Sequence, residues 1–88
     1  MSFEDLGKSL EGLRALRADL DEGQTEVIAR VDALIGDLDH QIQNLHDVEH
    51  RGSLLDGLRN FAEQFEAEHP KLTATSNQIS LMLSGMGI

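Results

Sequence analysis

Apolar residues recur along this chain at alternating spacings of three and four, the period that keeps one stripe of an α-helix facing the same way. In the first stretch, Phe3, Leu6, Leu10, Leu13, Leu16 and Leu20 mark one face. Ser2 is placed as its N-cap, and Asp5 lies three residues on in an acidic first turn that the helix dipole favours. Glu4 and Lys8 are spaced for an i,i+4 ion pair on the wet side. Gly7 and Gly12 each cost roughly 1 kcal/mol relative to alanine in a helix. They read either as weak points of a surface helix or as places where a neighbouring backbone comes close.

Asp21-Glu22-Gly23-Gln24-Thr25 interrupts the rhythm, and either Asp21 (with Gln24 three on) or Thr25 is placed to cap the next helix. Ile28, Val31, Ile35, Leu38, Ile42 and Leu45 then repeat at strict three-four spacing, with Val27 and Leu34 widening the stripe. Roughly two and a half heptads are too few for a long coiled coil and suit an antiparallel helix in a bundle. Glu26 and Arg30 add a second surface pair. The polar run His46 to Arg51 ends in Gly52, so the helix is expected to fray or stop there. Ser53 is then expected to cap a third helix, with Asp56 at the capping-box position.

The third helix would bury Leu54, Leu55, Leu58, Phe61, Ala62 and Phe65. The rhythm runs on through His69, Leu72, Ser76, Ile79, Leu83 and Met86, straight across His69-Pro70. Proline has no N–H to donate and crowds the preceding turn, so a break or kink is expected there, with Pro70 opening a fourth helix. That helix would bury Leu72, Ile79, Met82, Leu83 and Met86 and end at Gly85 and Gly87. The pattern therefore predicts an all-α single domain over residues 1–88. Its architecture is an antiparallel helical hairpin or bundle of three to four helices, with the helices after Ser53 as the scaffold for the others.

Composition sharpens this. Three Phe with no Trp or Tyr among 88 residues leave the core to Leu, Ile, Val, Met and Ala. That length is near the lower limit at which one core suffices, and about 4–13 kcal/mol of stability is expected. Additional burial by self-association is expected, giving a homodimer or a higher homo-oligomer. Sixteen acids against seven Lys plus Arg give a net charge of −9. Such a surface repels phosphate backbones and anionic bilayers, so neither nucleic acid nor membrane is expected as a partner. There is no cysteine, hence no disulfide and no thiol chemistry. The opening Met1-Ser2-Phe3-Glu4-Asp5 lacks a basic region followed by an apolar run, so no secretory leader is expected. After Lys71 no charged side chain occurs, yet that 17-residue tail is too polar and too short for a comfortable bilayer span. A cytoplasmic location is expected.

The segment Phe65-Glu66-Ala67-Glu68-His69-Pro70-Lys71-Leu72, Ser53-Leu54-Leu55 upstream of it and the ending Met86-Gly87-Ile88 carry a family resemblance. With them the chain resembles a family of small, mostly helical bacterial proteins known as a domain of unknown function. The specific part is F-E-x-x-H-P-x-L and the terminal M-G-I; the first two helices match only as generic amphipathic pattern. The resemblance implies a cytosolic bacterial helical protein and supplies no activity, cofactor or catalytic residue.

One spacing carries candidate chemistry. His46, Glu49 and His50 spell H-x-x-E-H, the order of inverted zinc peptidases, and on one helix positions 46 and 50 share a face. Such enzymes need a third protein ligand and a substrate cleft for which this chain has no room. The competing reading is a solvated helix C-terminus, where the dipole favours histidine. His40, beside Asp39, reads as a surface residue. His69 falls on the apolar stripe, either with its ring satisfying a backbone group at the break or as a pH-sensitive joint. No phosphate loop, paired nucleophile or basic patch occurs, so no enzyme, cofactor or catalytic residue is expected. The uncharged tail is the strongest functional signal, because its methionines and hydroxyls suit helix-to-helix contact. The expected role is a small soluble helical interaction protein that self-associates through its C-terminal half. Phe61, Phe65, Leu72, Ile79, Met82, Leu83 and Met86 are its expected interface. Two alternatives are a metal-binding protein using His46, Glu49 and His50, and an acidic inhibitor or antitoxin-like partner of a basic protein.

Overall fold

Four helices follow one another: α1 (Phe3–Ala18), α2 (Thr25–Gln43), α3 (Val48–Phe65) and α4 (Pro70–Met86). This computed structural model describes residues 3–86; Ser2, Gly87, Ile88 and the side chains of Phe3 and Met86 lie outside the described residues. Each helix packs on two others: α1 on α2 and α4, and α3 on α2 and α4. Connections of four to six residues between packed neighbours make consecutive helices antiparallel. The result is an all-α, closed four-helix ring measuring 38 × 21 × 17 Å, with no strand among the described residues.

One apolar core runs through all four helices. Leu6, Leu10 and Leu13 enter it from α1, and Val27, Val31, Leu34 and Leu38 from α2. Leu54, Leu58, Phe61 and Phe65 come from α3, and Leu72, Ile79, Met82 and Leu83 from α4. A fully buried side chain of this class stabilises the fold by about 1.5–3 kcal/mol. Phe61 and Phe65 also stack obliquely, their centroids 4.8 Å apart. The stripe of α2 is rotated from the expected one: Val27, Val31, Leu34, Leu38 and Gln41 are buried, while Ile28, Ile35, Ile42 and Leu45 are only half-buried. Two registers of apolar residues share this helix, and the ring of neighbours selects the one that ends on a glutamine.

The helix ends depart from expectation in three places. Neither Asp21 nor Thr25 caps α2; Gln24 is its N-cap and makes no side-chain cap. Its amide oxygen instead accepts the Asp21 N–H at 3.2 Å, closing the turn behind it. Helix α3 begins at Val48 rather than after Ser53, because Asp47 takes the cap and its carboxylate accepts the His50 N–H at 3.0 Å. Gly52 and Ser53 are therefore helical, as is Gly85, which does not end α4. The break at His69-Pro70 is present. The His69 N–H closes α3 on the Phe65 carbonyl at 2.8 Å, and its own carbonyl accepts the first α4 bond from Thr73 at 3.0 Å. The ring of His69 makes no hydrogen bond there and packs edge-on to Phe65 at 6.1 Å, so the backbone forms this joint.

Polar contacts between helices are few. Arg17 of α1 pairs with Asp32 of α2 at 2.8 Å, which holds the Asp32 carboxyl below its usual range through that hydrogen bond. The expected Glu26–Arg30 pair is replaced by a bridge: the Gln64 amide of α3 accepts from Arg30 at 2.8 Å and donates to Glu26 at 2.7 Å. A Cβ at Gly7 or Gly12 would meet nothing within 4 Å, so neither glycine admits a close helix approach within the chain.

Candidate functional site

Two regions gather polar chemistry: the corner between α2 and α3, and the outer face of α4 with the groove beside it. At the corner, α2 ends at Gln43 and α3 starts at Val48, leaving a turn of four residues. Buried Gln41 organises it. Its amide NH2 donates to the carbonyls of Asn44 at 3.2 Å and Asp47 at 3.4 Å. Its oxygen therefore faces His50 Nδ1, 2.7 Å away, as an acceptor, so Nδ1 carries the proton. The Asn44 side chain donates to the His40 carbonyl at 2.9 Å, closing the C-terminus of α2.

This geometry separates His46 and Glu49 from His50. His46 stands exposed in the turn before the Asp47 cap, so the i,i+4 face that would join it to His50 does not form. Glu49 is exposed in the first turn of α3. The partner that His50 does meet is His40, with ring centroids 4.3 Å apart. His40 Nε2 lies 3.7 Å from Asp47, and His50 Nε2 lies 3.9 Å from Asp37. The Asp47 carboxyl is held below its usual range, first by the His50 backbone N–H and to a smaller degree by His40. No group of three or more His, Asp or Glu side chains among the described residues is arranged to hold a metal ion. The corner joins two helices through a buried amide.

The residues expected at an interface divide differently. Phe61, Phe65, Leu72, Ile79, Met82 and Leu83 are buried in the chain's own core. The side chain of Met86 lies outside the described residues. The surface that α4 presents outward is instead Lys71, Ala74, Asn77, Gln78, Leu81 and Ser84, without a charge after Lys71. Leu81 stands at its crest and is 67% exposed. Alongside runs a groove of about 310 Å³ between α3 and α4. Leu55, Arg59, Ala62, Glu63 and Glu66 line it from α3, and Thr73, Asn77, Ser80 and Ser84 from α4. Leu55, Arg59, Ala62 and Glu66, like the α4 set, repeat at spacings of four, three and four, so each is one stripe of its helix, with Glu63 at the outer margin of the first. Thr73 is buried, and its hydroxyl has no hydrogen-bond partner. Sequence reasoning pointed to the uncharged tail but missed Gln41, since a glutamine at the end of an apolar stripe gives no signal of its burial.

Among the described residues, no helix is long and apolar enough to cross a membrane. The sequence profile of the family described as Domain of unknown function (DUF4404) matches residues 6–88, and the chain belongs to that family. No curated protein and no solved structure matches it.

Proposed function

We propose that this family member is a helical interaction protein without catalytic activity, which pairs with a second copy of itself through its C-terminal half, α3 and α4. We place it in the bacterial cytoplasm, as the family resemblance implies. The observation that carries the proposal is the outer face of α4. A chain of net charge −9 repels its own copies wherever its acids are spread. From Leu72 onward no side chain is charged, and the outer face there bears an exposed leucine at its crest. This is the face on which two acidic copies meet with the least repulsion and with apolar surface to bury.

Sedimentation equilibrium of the full chain at micromolar concentrations tests the proposal. The expected result is a dimer or larger species that Leu81→Glu converts to monomer while the helical circular dichroism stays unchanged. Leu81 is exposed, so its replacement leaves the core intact. A monomer throughout, or an assembly indifferent to Leu81→Glu, overturns it.

A further inference from the structure

The groove between α3 and α4 carries charges that the folded chain leaves unmatched. Arg59, Glu63 and Glu66 stand exposed along its α3 wall, and their side chains make no ion pair or hydrogen bond among the described residues. Arg59 and Glu63 are four apart on one helix, a spacing at which such side chains can meet, yet they stay apart. The opposite wall is uncharged. A wall with its cation at the N-terminal end and its anions toward the C-terminal end complements an antiparallel copy of itself at its two ends.

From this we infer that the α3–α4 groove is a two-fold interface, in which Arg59 of one copy pairs with Glu66 and Glu63 of the other. This rests on the self-association proposed above and specifies its geometry. In an isologous contact, residue i meets j and j meets i. An axis between Ala62 and Glu63 brings position 59 of one α3 opposite position 66 of the other. At 1.5 Å rise per residue, Glu63 then lies about one turn from the same guanidinium. Each Arg faces Glu66 of the other copy at one end of the seam, with the two Glu63 flanking the axis between them, and each Arg can engage a carboxylate through two N–H groups. Ala62, small and nearly buried in the groove floor, lets the two helices cross closely. Helix α4 lies beside the seam with Asn77, Ser80 and Ser84, which add hydrogen-bonding groups without adding charge.

Charge exchange between full-length chains tests this. Arg59→Glu makes the wall wholly acidic, and Glu63→Arg with Glu66→Arg makes it wholly basic. Each variant alone is expected to dimerise at least tenfold more weakly than the original chain, and their equimolar mixture is expected to regain dimer mass in light scattering. All three positions are exposed, and circular dichroism confirms the fold. As a second measurement, the absence of native cysteine allows Glu63→Cys to be oxidised. It is expected to give a cross-linked dimer where Asp39→Cys on α2 gives none. If the original chain dimerises but the charge variants dimerise equally well, or the mixture stays monomeric, the groove geometry falls and the wider proposal survives. A monomeric original chain removes both.

Discussion

Replacing Gln41 with leucine separates two views of helix α2. By pattern alone the position continues the stripe of Val31, Leu34 and Leu38, and a leucine there would add apolar burial. The structure gives the glutamine three bonds at 1% exposure: two donated to the Asn44 and Asp47 carbonyls and one accepted from His50. Each such bond contributes about 0.5–1.5 kcal/mol net, and a buried group left without a partner costs about 1–3 kcal/mol. The His50 Nδ1–H is the group most deprived, because its ring is held half-buried against His40. Against this, leucine gains burial worth up to about 1.5–3 kcal/mol relative to exposure. Part of that gain is already made by the methylenes of glutamine, so loss wins by roughly 1–2 kcal/mol. Unfolding entropy of about 2.1 cal/mol/K per residue converts this into a melting point lower by roughly 5–10 °C. Thermal and urea unfolding followed by circular dichroism measure it. A double-mutant cycle with His50→Phe should return a coupling above about 0.5 kcal/mol. A Gln41→Leu chain as stable as the original, or a cycle with no coupling, refutes the account of the corner.

Other substitutions address the helix ends and the core. Asp47→Asn keeps a cap as good as aspartate near neutrality but alters acid behaviour. The Asp47 carboxyl titrates lower when folded, so its contribution is present above the unfolded pKa and is lost as pH falls through the folded one. The variant should therefore lose less melting temperature over that acidic window, and an identical profile would contradict the cap. Gly52→Ala should stabilise by about 0.5–1 kcal/mol, since Gly52 lies inside α3 and a Cβ there meets nothing within 4 Å. Ser53→Ala should by contrast change little; a loss near 1 kcal/mol would restore Ser53 as the start of α3. Ser76→Ala should leave the melting point level or raise it, because the Ser76 hydroxyl is buried without a partner and its removal ends a cost of about 1–3 kcal/mol. A clear fall in melting point would show that the hydroxyl is bonded.

The sequence reveals most where periodicity and backbone chemistry agree. Leu6, Leu10 and Leu13 repeat without competition and are buried as spaced. Pro70 cannot extend α3, and the chain restarts there. Legibility fails where two local solutions are nearly equal. On α2, Ile28, Ile35 and Ile42 form as regular a stripe as Val27, Val31, Leu34 and Leu38, and only the position of the neighbours decides between them. Asp47 and Ser53 are both good caps; the earlier one wins because Gln41 and Asn44 tie down the turn before it. The face implied by the H-x-x-E-H spacing does not form for the same reason, since α2 ends at Gln43 and Asp47 opens α3 between the two histidines.

The C-terminal half shows how composition and packing divide the work of one helix. The three-four stripe of α4 through Leu72, Ile79 and Leu83 is consumed within the chain, so its apolar spacing accounts for the bundle and not for a partner. What is left exposed is the side that periodicity ignores: the uncharged residues after Lys71 around Leu81, bordered by α3 on one flank and by Asp5 and Lys8 of α1 on the other. If burial alone drove pairing, Leu81 would suffice and orientation would be loose. On the proposed two-fold seam, Arg59 facing Glu66 of the other copy at both ends would supply the orientation, because a parallel arrangement sets Arg59 against Arg59 and Glu66 against Glu66. The same charges limit affinity at low ionic strength, where net charge repels over about 30 Å at 0.01 M salt; near 0.15 M that reach falls to about 8 Å. Contacts within the seam are shorter than this and keep most of their strength. Pairing should therefore tighten as salt rises from 0.01 to 0.15 M, opposite to the trend for a complex held together by attraction between oppositely charged surfaces.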